Sequence, residues 1–344
     1  MKEGTSKRLL LHIGANKTGS SAIQEFLRLN FEALARHDVI VAPSDLMRGG
    51  PVTGQHVPFL EHLRFDMAFG RKIVTERIAL LMRDLPERGT LVISAENLSN
   101  LNGTHELFAD TLSKHDVQII LYIRRQDELL VSAWQQWGSK TTGDFWAWVV
   151  RAAGQRGDWR LTLEPWEALA GRQHIVVRIY DRAKLFRQNV VADFLQVLGL
   201  GGKLQEFEMP ATPANPGYSD AVVDFVRGNP LLFHDMHDDT VYRIIETLTG
   251  DRFVRNPRES IITHEERMAL LQKYTASNAW VKNRYFANSD GPLFIEPRPE
   301  DYDVLSPGML KAQKWDLVAS LIQALAQRVP ANFNQSGIGE PSSS

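Results

Sequence analysis

Arg8-Leu9-Leu10-Leu11-His12-Ile13-Gly14-Ala15-Asn16-Lys17-Thr18-Gly19-Ser20-Ser21-Ala22-Ile23-Gln24 reads as a buried strand, a tight glycine turn and the first turn of a helix. The turn holds one lysine, one threonine and two serines. The first amides of a helix have no intrahelical partner, and with hydroxyls and a cation beside them they hold a phosphate. A plainer reading makes Ser20 an N-cap, or Ser21 and Gln24 a capping box. The order also departs from the common triphosphatase loop, in which lysine directly follows the second glycine. Here Lys17 precedes Gly19. The segment points to a nucleotide-dependent enzyme.

Apolar runs recur downstream at Val39–Val41, Thr90–Ala95, Val117–Ile123 and His174–Ile179. Helical periodicity falls between them: Ile23, Phe26, Leu27, Phe31 and Leu34; Val74, Ile78, Leu81 and Leu85; Leu129, Leu130, Ala133, Trp134 and Trp137; Val190, Val191, Phe194, Leu195 and Leu198. Alternating strands and helices with uniformly apolar strands predict an α/β fold, a parallel sheet covered by helices on both faces. Residues 43–58 read as a long loop. Beyond Gly199 the pattern becomes helical without clear strands, near Ser219–Arg227, Thr240–Thr249, Thr263–Tyr274 and Met309–Arg328. Thr263 and Glu266 form a capping-box signature. The expected organisation is one domain over 1–335, its helical part from 200 onward covering the acceptor site or completing the core, and a disordered tail over 336–344.

The chain has 344 residues, enough for a large core, and a net charge of −2 that gives no global pull toward nucleic acid. It has no cysteine, which excludes disulfides and thiolate chemistry and suits a reducing, cytoplasmic setting. No signal peptide or transmembrane stretch is evident. His234, Asp235, His237, Asp238 and Asp239 match no metal-ligand spacing, so no metal is expected. His12 reads as a core histidine, and the tryptophans between 134 and 166 as packing.

Open parallel sheets bind ligands at the carboxyl ends of their strands. There the third long apolar run delivers Arg124-Arg125-Gln126-Asp127-Glu128-Leu129-Leu130-Val131-Ser132. An arginine at a strand end and a serine two helical turns on suit one anion, because the guanidinium binds two oxygens at once. Arg125 reads as an ion-pair partner, and Asp127 and Glu128 as acids complementing the helix dipole.

Lys17-Thr18-Gly19-Ser20-Ser21 after a strand resembles the 5′-phosphosulfate loop of sulfotransferases, and Arg124 with Ser132 resembles their 3′-phosphate motif. Val177–Arg182, Val190–Leu195, Leu198–Leu200 and Ser277-Asn278 resemble bacterial members. The likeness is good over about the first 200 residues and loose beyond. The Arg-Lys-Gly that cytosolic members carry late in the chain is missing, with Lys203 or Arg178 as weak substitutes.

The resemblance implies a P-loop, nucleotide-kinase-like fold and the co-substrate 3′-phosphoadenosine 5′-phosphosulfate (PAPS), without a metal. It implies Lys17 as the catalytic lysine, Thr18, Gly19, Ser20 and Ser21 on the 5′-phosphate, and Arg124 and Ser132 on the 3′-phosphate. The acceptor would be a hydroxyl, on a glycan or glycolipid. Two residues compete for general base: Glu96, just past a strand end, first, and His56, in the long loop, second. The rival readings are an ATP-dependent kinase on the same fold and a non-catalytic nucleotide-binding protein. Oligomeric state is left open.

Overall fold

The computed structural model describes residues 7–141, 144–151, 154–210, 218–253, 256 and 258–328. In chain order the main elements are β1 (Arg8–His12), α1 (Ser20–Ala35), β2 (Val39–Val41), α2 (Val57–Leu63), α3 (Met67–Asp84), β3 (Thr90–Ser94), α4 (Ala109–Leu112), β4 (Asp116–Ile123), α5 (Gln126–Gln136), α6 (Phe145–Arg151), α7 (Trp159–Ala170), β5 (Ile175–Ile179) and α8 (Val190–Val197). Then follow α9 (Asp220–Arg227), α10 (Thr240–Thr249), β6 (Glu259–Ser260), α11 (His264–Gln272), α12 (Thr275–Tyr285), β7 (Asp303–Val304) and α13 (Pro307–Ala326). Contacts gather the chain into two compact units, one of Met1–Ala133, Ala153–Asn215 and Met268–Glu296, the other of Trp134–Ala152, Pro216–Arg267 and Pro297–Ser344. Residues 134–152, inside the α/β stretch by sequence, thus group with the helices after 216.

In the first unit five parallel strands run in the order β2-β3-β1-β4-β5. The strands are apolar because both faces are covered. Leu9, Leu11, Ile93, Ile119 and Leu121 pack under α3 and α7, while Leu10, Val92, Ile120 and Tyr122 pack under α1 and α8. The result is a three-layer α/β unit. The order reverses at β1, between β3 and β4, and this is where such sheets open a crevice.

Helix ends follow local chemistry. Asn189 caps α8 by accepting from Val191 and Ala192, and Asp158 caps α7 by accepting from Leu161. α1 is different: Gly19, at φ 84°, is its N-cap, and no side chain caps it. The capping readings of Ser20 and of Ser21 with Gln24 are therefore not realised. Phe31, expected on the buried face, is exposed, and Asn30 takes the interior place, bonding to Phe26 O and Glu208 O.

The second unit centres on Val222, Val226, Tyr242, Ile245, Phe253 and Leu317. Lys140 is buried there, paired with Asp239 at 2.6 Å and lying over the Phe233 and Tyr242 rings. The Thr263–Glu266 capping box forms as expected. The expectation of no strands here needs one correction: β6 and β7 form a short parallel pair. The 336–344 tail lies outside the described residues. No helix among them is long and apolar enough to cross a membrane.

Candidate active site

The loop after β1 is built by the sheet itself. β1 keeps pairing beyond His12: Ile13 N donates to Ile120 O, Tyr122 N to Gly14 O, and Ala15 N to Tyr122 O. The chain then turns through left-handed backbone at Lys17 (φ 63°) and Gly19 (φ 84°). Thr18 donates its hydroxyl to Ala15 O at 2.7 Å, so that oxygen shapes the loop. Gly19 must be glycine, since a Cβ there would lie 2.9 Å from both Tyr180 and Val190. Ser20 and Ser21 open α1, where the first amides face outward along the helix axis.

Two distant segments meet this loop. Arg124, just past β4, donates Nη1 to Lys17 O at 3.1 Å and Nε to Glu128 at 3.1 Å, beside the Tyr180 ring. From the other side comes Glu96, just past β3. A Cβ on Gly14 would lie 2.9 Å from the Glu96 Cα, so the loop and the β3 end touch backbone to backbone. Glu96 is half-buried, and its carboxylate accepts from the Gln24 amide, a neutral partner rather than a cation. Lys17, Arg124 and Glu96, far apart in sequence, thus share one end of the sheet. Ser132 lies nearly buried on α5, two turns in.

His56 sits at the same end of the sheet, its backbone N–H donating to Ser94 O two residues before Glu96, but against the expectation of a loop base its ring is enclosed. Its ring is fully buried at the start of α2. Nε2 lies 3.1 Å from Ala42 O, and Ser94 N donates to Nδ1 at 3.2 Å. Burial lowers its pKa. Both ring nitrogens are occupied by backbone, so His56 pins the β2 and β3 ends together. His12 is likewise interior: Nδ1 bonds Ser94 Oγ at 2.8 Å, Nε2 has no hydrogen-bond partner among the described residues, and burial lowers the pKa to about 3.

The substitutes for the missing cationic tripeptide are engaged otherwise. Arg178 forms a two-point ion pair with buried Asp193, which also accepts from Tyr122 Oη and Phe186 N. Lys203 sits at the surface beside His37. Arg125 pairs with Asp127 and Glu128, as read.

Beside Asn16 and the turn after Glu96, a cleft of about 300 Å³ opens, lined by Asn16, Asn100, Asn102, Gln155, Arg156 and Thr162 among others. The sequence reading passed over these residues. Their one local signal was the run Glu96-Asn97-Leu98-Ser99-Asn100-Leu101-Asn102, rich in amides at the carboxyl end of a central strand.

The family model described as "Sulfotransferase domain" matches residues 7–211, which contain the loop, Glu96, Arg124 and Ser132. The chain belongs to the sulfotransferase domain family. It is 28% identical over 215 residues to an "uncharacterized protein" of Archaeoglobus fulgidus, an alignment covering 62% of this chain and 58% of that relative. A crystal structure of a sulfotransferase from Alicyclobacillus acidocaldarius aligns with 68% of this chain and 98% of its own, at 15% identity and a TM-score of 0.36. Within this sulfotransferase domain, the sheet end carrying Lys17, Arg124 and Glu96 is the candidate active site.

Proposed function

We propose that this chain transfers a sulfuryl group from PAPS to a hydroxyl of a carbohydrate-type acceptor. The observation that carries the reading is the contact of Arg124 with the Lys17 carbonyl, at the same sheet end where Gly14 abuts Glu96. The residues suit the donor chemically: the first turn of α1 and a lysine for the 5′-phosphate, an arginine and Ser132 for the 3′-phosphate. PAPS supplies an activated sulfuryl group and an in-line leaving phosphate.

Glu96 takes the acceptor hydroxyl proton as the acceptor oxygen bonds to sulfur and the bond between sulfur and the phosphate oxygen breaks. The electron pair leaves with 3′,5′-adenosine bisphosphate. Lys17 meets the charge growing on that leaving phosphate, a contact stronger in the transition state than in the ground state. Thr18 and Gly19 keep the loop in shape, and the Ser20 and Ser21 amides face the phosphate. His56 keeps a structural part.

The test is calorimetric titration of 3′,5′-adenosine bisphosphate, with ATP and Mg²⁺ as the comparison, on the natural protein and on Lys17→Ala and Arg124→Ala. The expected result is binding without metal that both substitutions weaken. Preference for ATP with Mg²⁺ would favour the kinase reading and overturn this one.

A further inference from the structure

Gln24 lies on α1 one turn past Ser20, on the same helical face, and is buried. Its amide is not spent on capping the helix. It crosses to the turn after β3, where Nε2 donates to Glu96 Oε2. An ionised carboxylate only accepts, so the amide nitrogen is the atom that must face it. Among the described residues no other group bonds the Glu96 side chain, and Oε1 has no protein donor.

Backbone packing holds both ends of this contact. A Cβ at Gly54 would lie 2.1 Å from Gln24 O, so the loop before α2 presses on the turn of α1 that carries Gln24. On the other side, Ala95 N donates to His12 O at 2.9 Å and Ser99 Oγ donates to Glu96 O at 2.7 Å. The next residue, Asn97, donates to Glu61 on α2 at 2.9 Å. The backbone of Glu96 is thus fixed without Gln24, whereas the direction of its carboxylate depends on Gln24.

We propose that Gln24 is a positioning residue for the general base: it anchors one carboxylate oxygen of Glu96, and the other, Oε1, takes the acceptor hydroxyl proton. A lysine or arginine at this place would anchor the carboxylate equally well but make it a weaker base, because a nearby cation favours the ionised form. A neutral amide orients without that penalty. The inference rests on the transfer reading and deepens it by naming what aims its base. One helix then serves both halves of the reaction, its first amides facing the donor phosphate and Gln24, one turn on, directing the base.

The experiment measures release of 3′,5′-adenosine bisphosphate from PAPS, with methyl β-D-glucopyranoside as the hydroxyl probe. It compares the full natural chain with Gln24→Met, Gln24→Asn, Glu96→Gln and the double variant Gln24→Met with Glu96→Gln. Methionine keeps the volume and removes the donor, while asparagine keeps the amide but is one methylene short. Both are expected to lower kcat about tenfold or more, the worth of one hydrogen bond to a charged group. KM for PAPS and the affinity for 3′,5′-adenosine bisphosphate stay within about twofold in both. Glu96→Gln lowers kcat about 10²-fold or more, and adding Gln24→Met to it changes the residual rate less than about twofold. Full kcat in Gln24→Met or Gln24→Asn overturns the proposal. So does an equal loss with and without Glu96, or a loss confined to KM for PAPS or to bisphosphate affinity, which would assign Gln24 to the donor. A natural protein that releases no bisphosphate sinks the transfer reading, and full kcat in Glu96→Gln sinks its base; either takes the proposal with it and is told apart from a failure of Gln24 alone.

Discussion

Neighbouring strands each deliver an arginine to the site end of the sheet, and the two have different fates. Arg178, on β5 opposite Tyr122 of β4, is locked by the Asp193 carboxylate, which Tyr122 and Phe186 also engage. Arg124, one residue past β4, reaches across to a backbone carbonyl of the Lys17 loop, and its carboxylate partner Glu128 lies in the first turn of the following helix, α5. As bare sequence both are arginines at strand ends. A buried carboxylate holds one of them in the interior, while the other reaches the Lys17 loop, where the proposed donor site lies.

The largest expected effect falls on the structural side. Asp193→Ala leaves Arg178 and Tyr122 facing an empty place and should cost about 3–5 kcal/mol of stability, read from denaturant unfolding. A loss below about 1 kcal/mol would dissolve the contrast. Next, Lys17→Ala should lower turnover with PAPS about 10²–10³-fold while the unfolding midpoint stays put. The comparison is sharpest in the paired substitutions. Arg124→Ala should weaken bisphosphate binding about tenfold or more with little change in stability, and Arg178→Ala should do the reverse. If Arg178→Ala weakened binding as much, its pairing with Asp193 would not have removed it from the site.

The smallest effect is a pH slope. Burial lowers the pKa of His12 to about 3 and also lowers that of His56. Unfolded, both titrate near about 6.5. As pH falls from about 6.5 toward 5, the unfolded chain takes up protons that the folded chain refuses, so stability falls by at most about 1.4 kcal/mol per unit for each histidine. Above about 6.5 this contribution is fully present. His12→Gln should remove its share of the slope, measured as unfolding free energy against pH. An unchanged slope would mean that His12 is charged in the folded protein.

The strands were legible because central strands buried on both faces must be apolar along their length. Helices α2, α7 and α12 were not: Pro165 interrupts the pattern of α7, and α12 mixes polar and apolar residues around its circumference. The loop and the Arg124 motif were legible because their residues are contiguous. The burial of His56 was not, because it depends on Ala42 and Ser94, carbonyl and amide partners on other elements. The cleft was missed for the same reason: Asn16, Asn100 and Arg156 belong together only once the sheet has formed.

The hydroxyl of Thr18 bonding back to Ala15 has a kinetic consequence. A loop tied by its own side chain, by β4 and by Arg124 takes its shape during folding, so a nucleotide arriving there has little chain left to order. Its association should then be governed by the rate of encounter, and tighter or weaker variants of the site should differ mainly in how long the nucleotide stays.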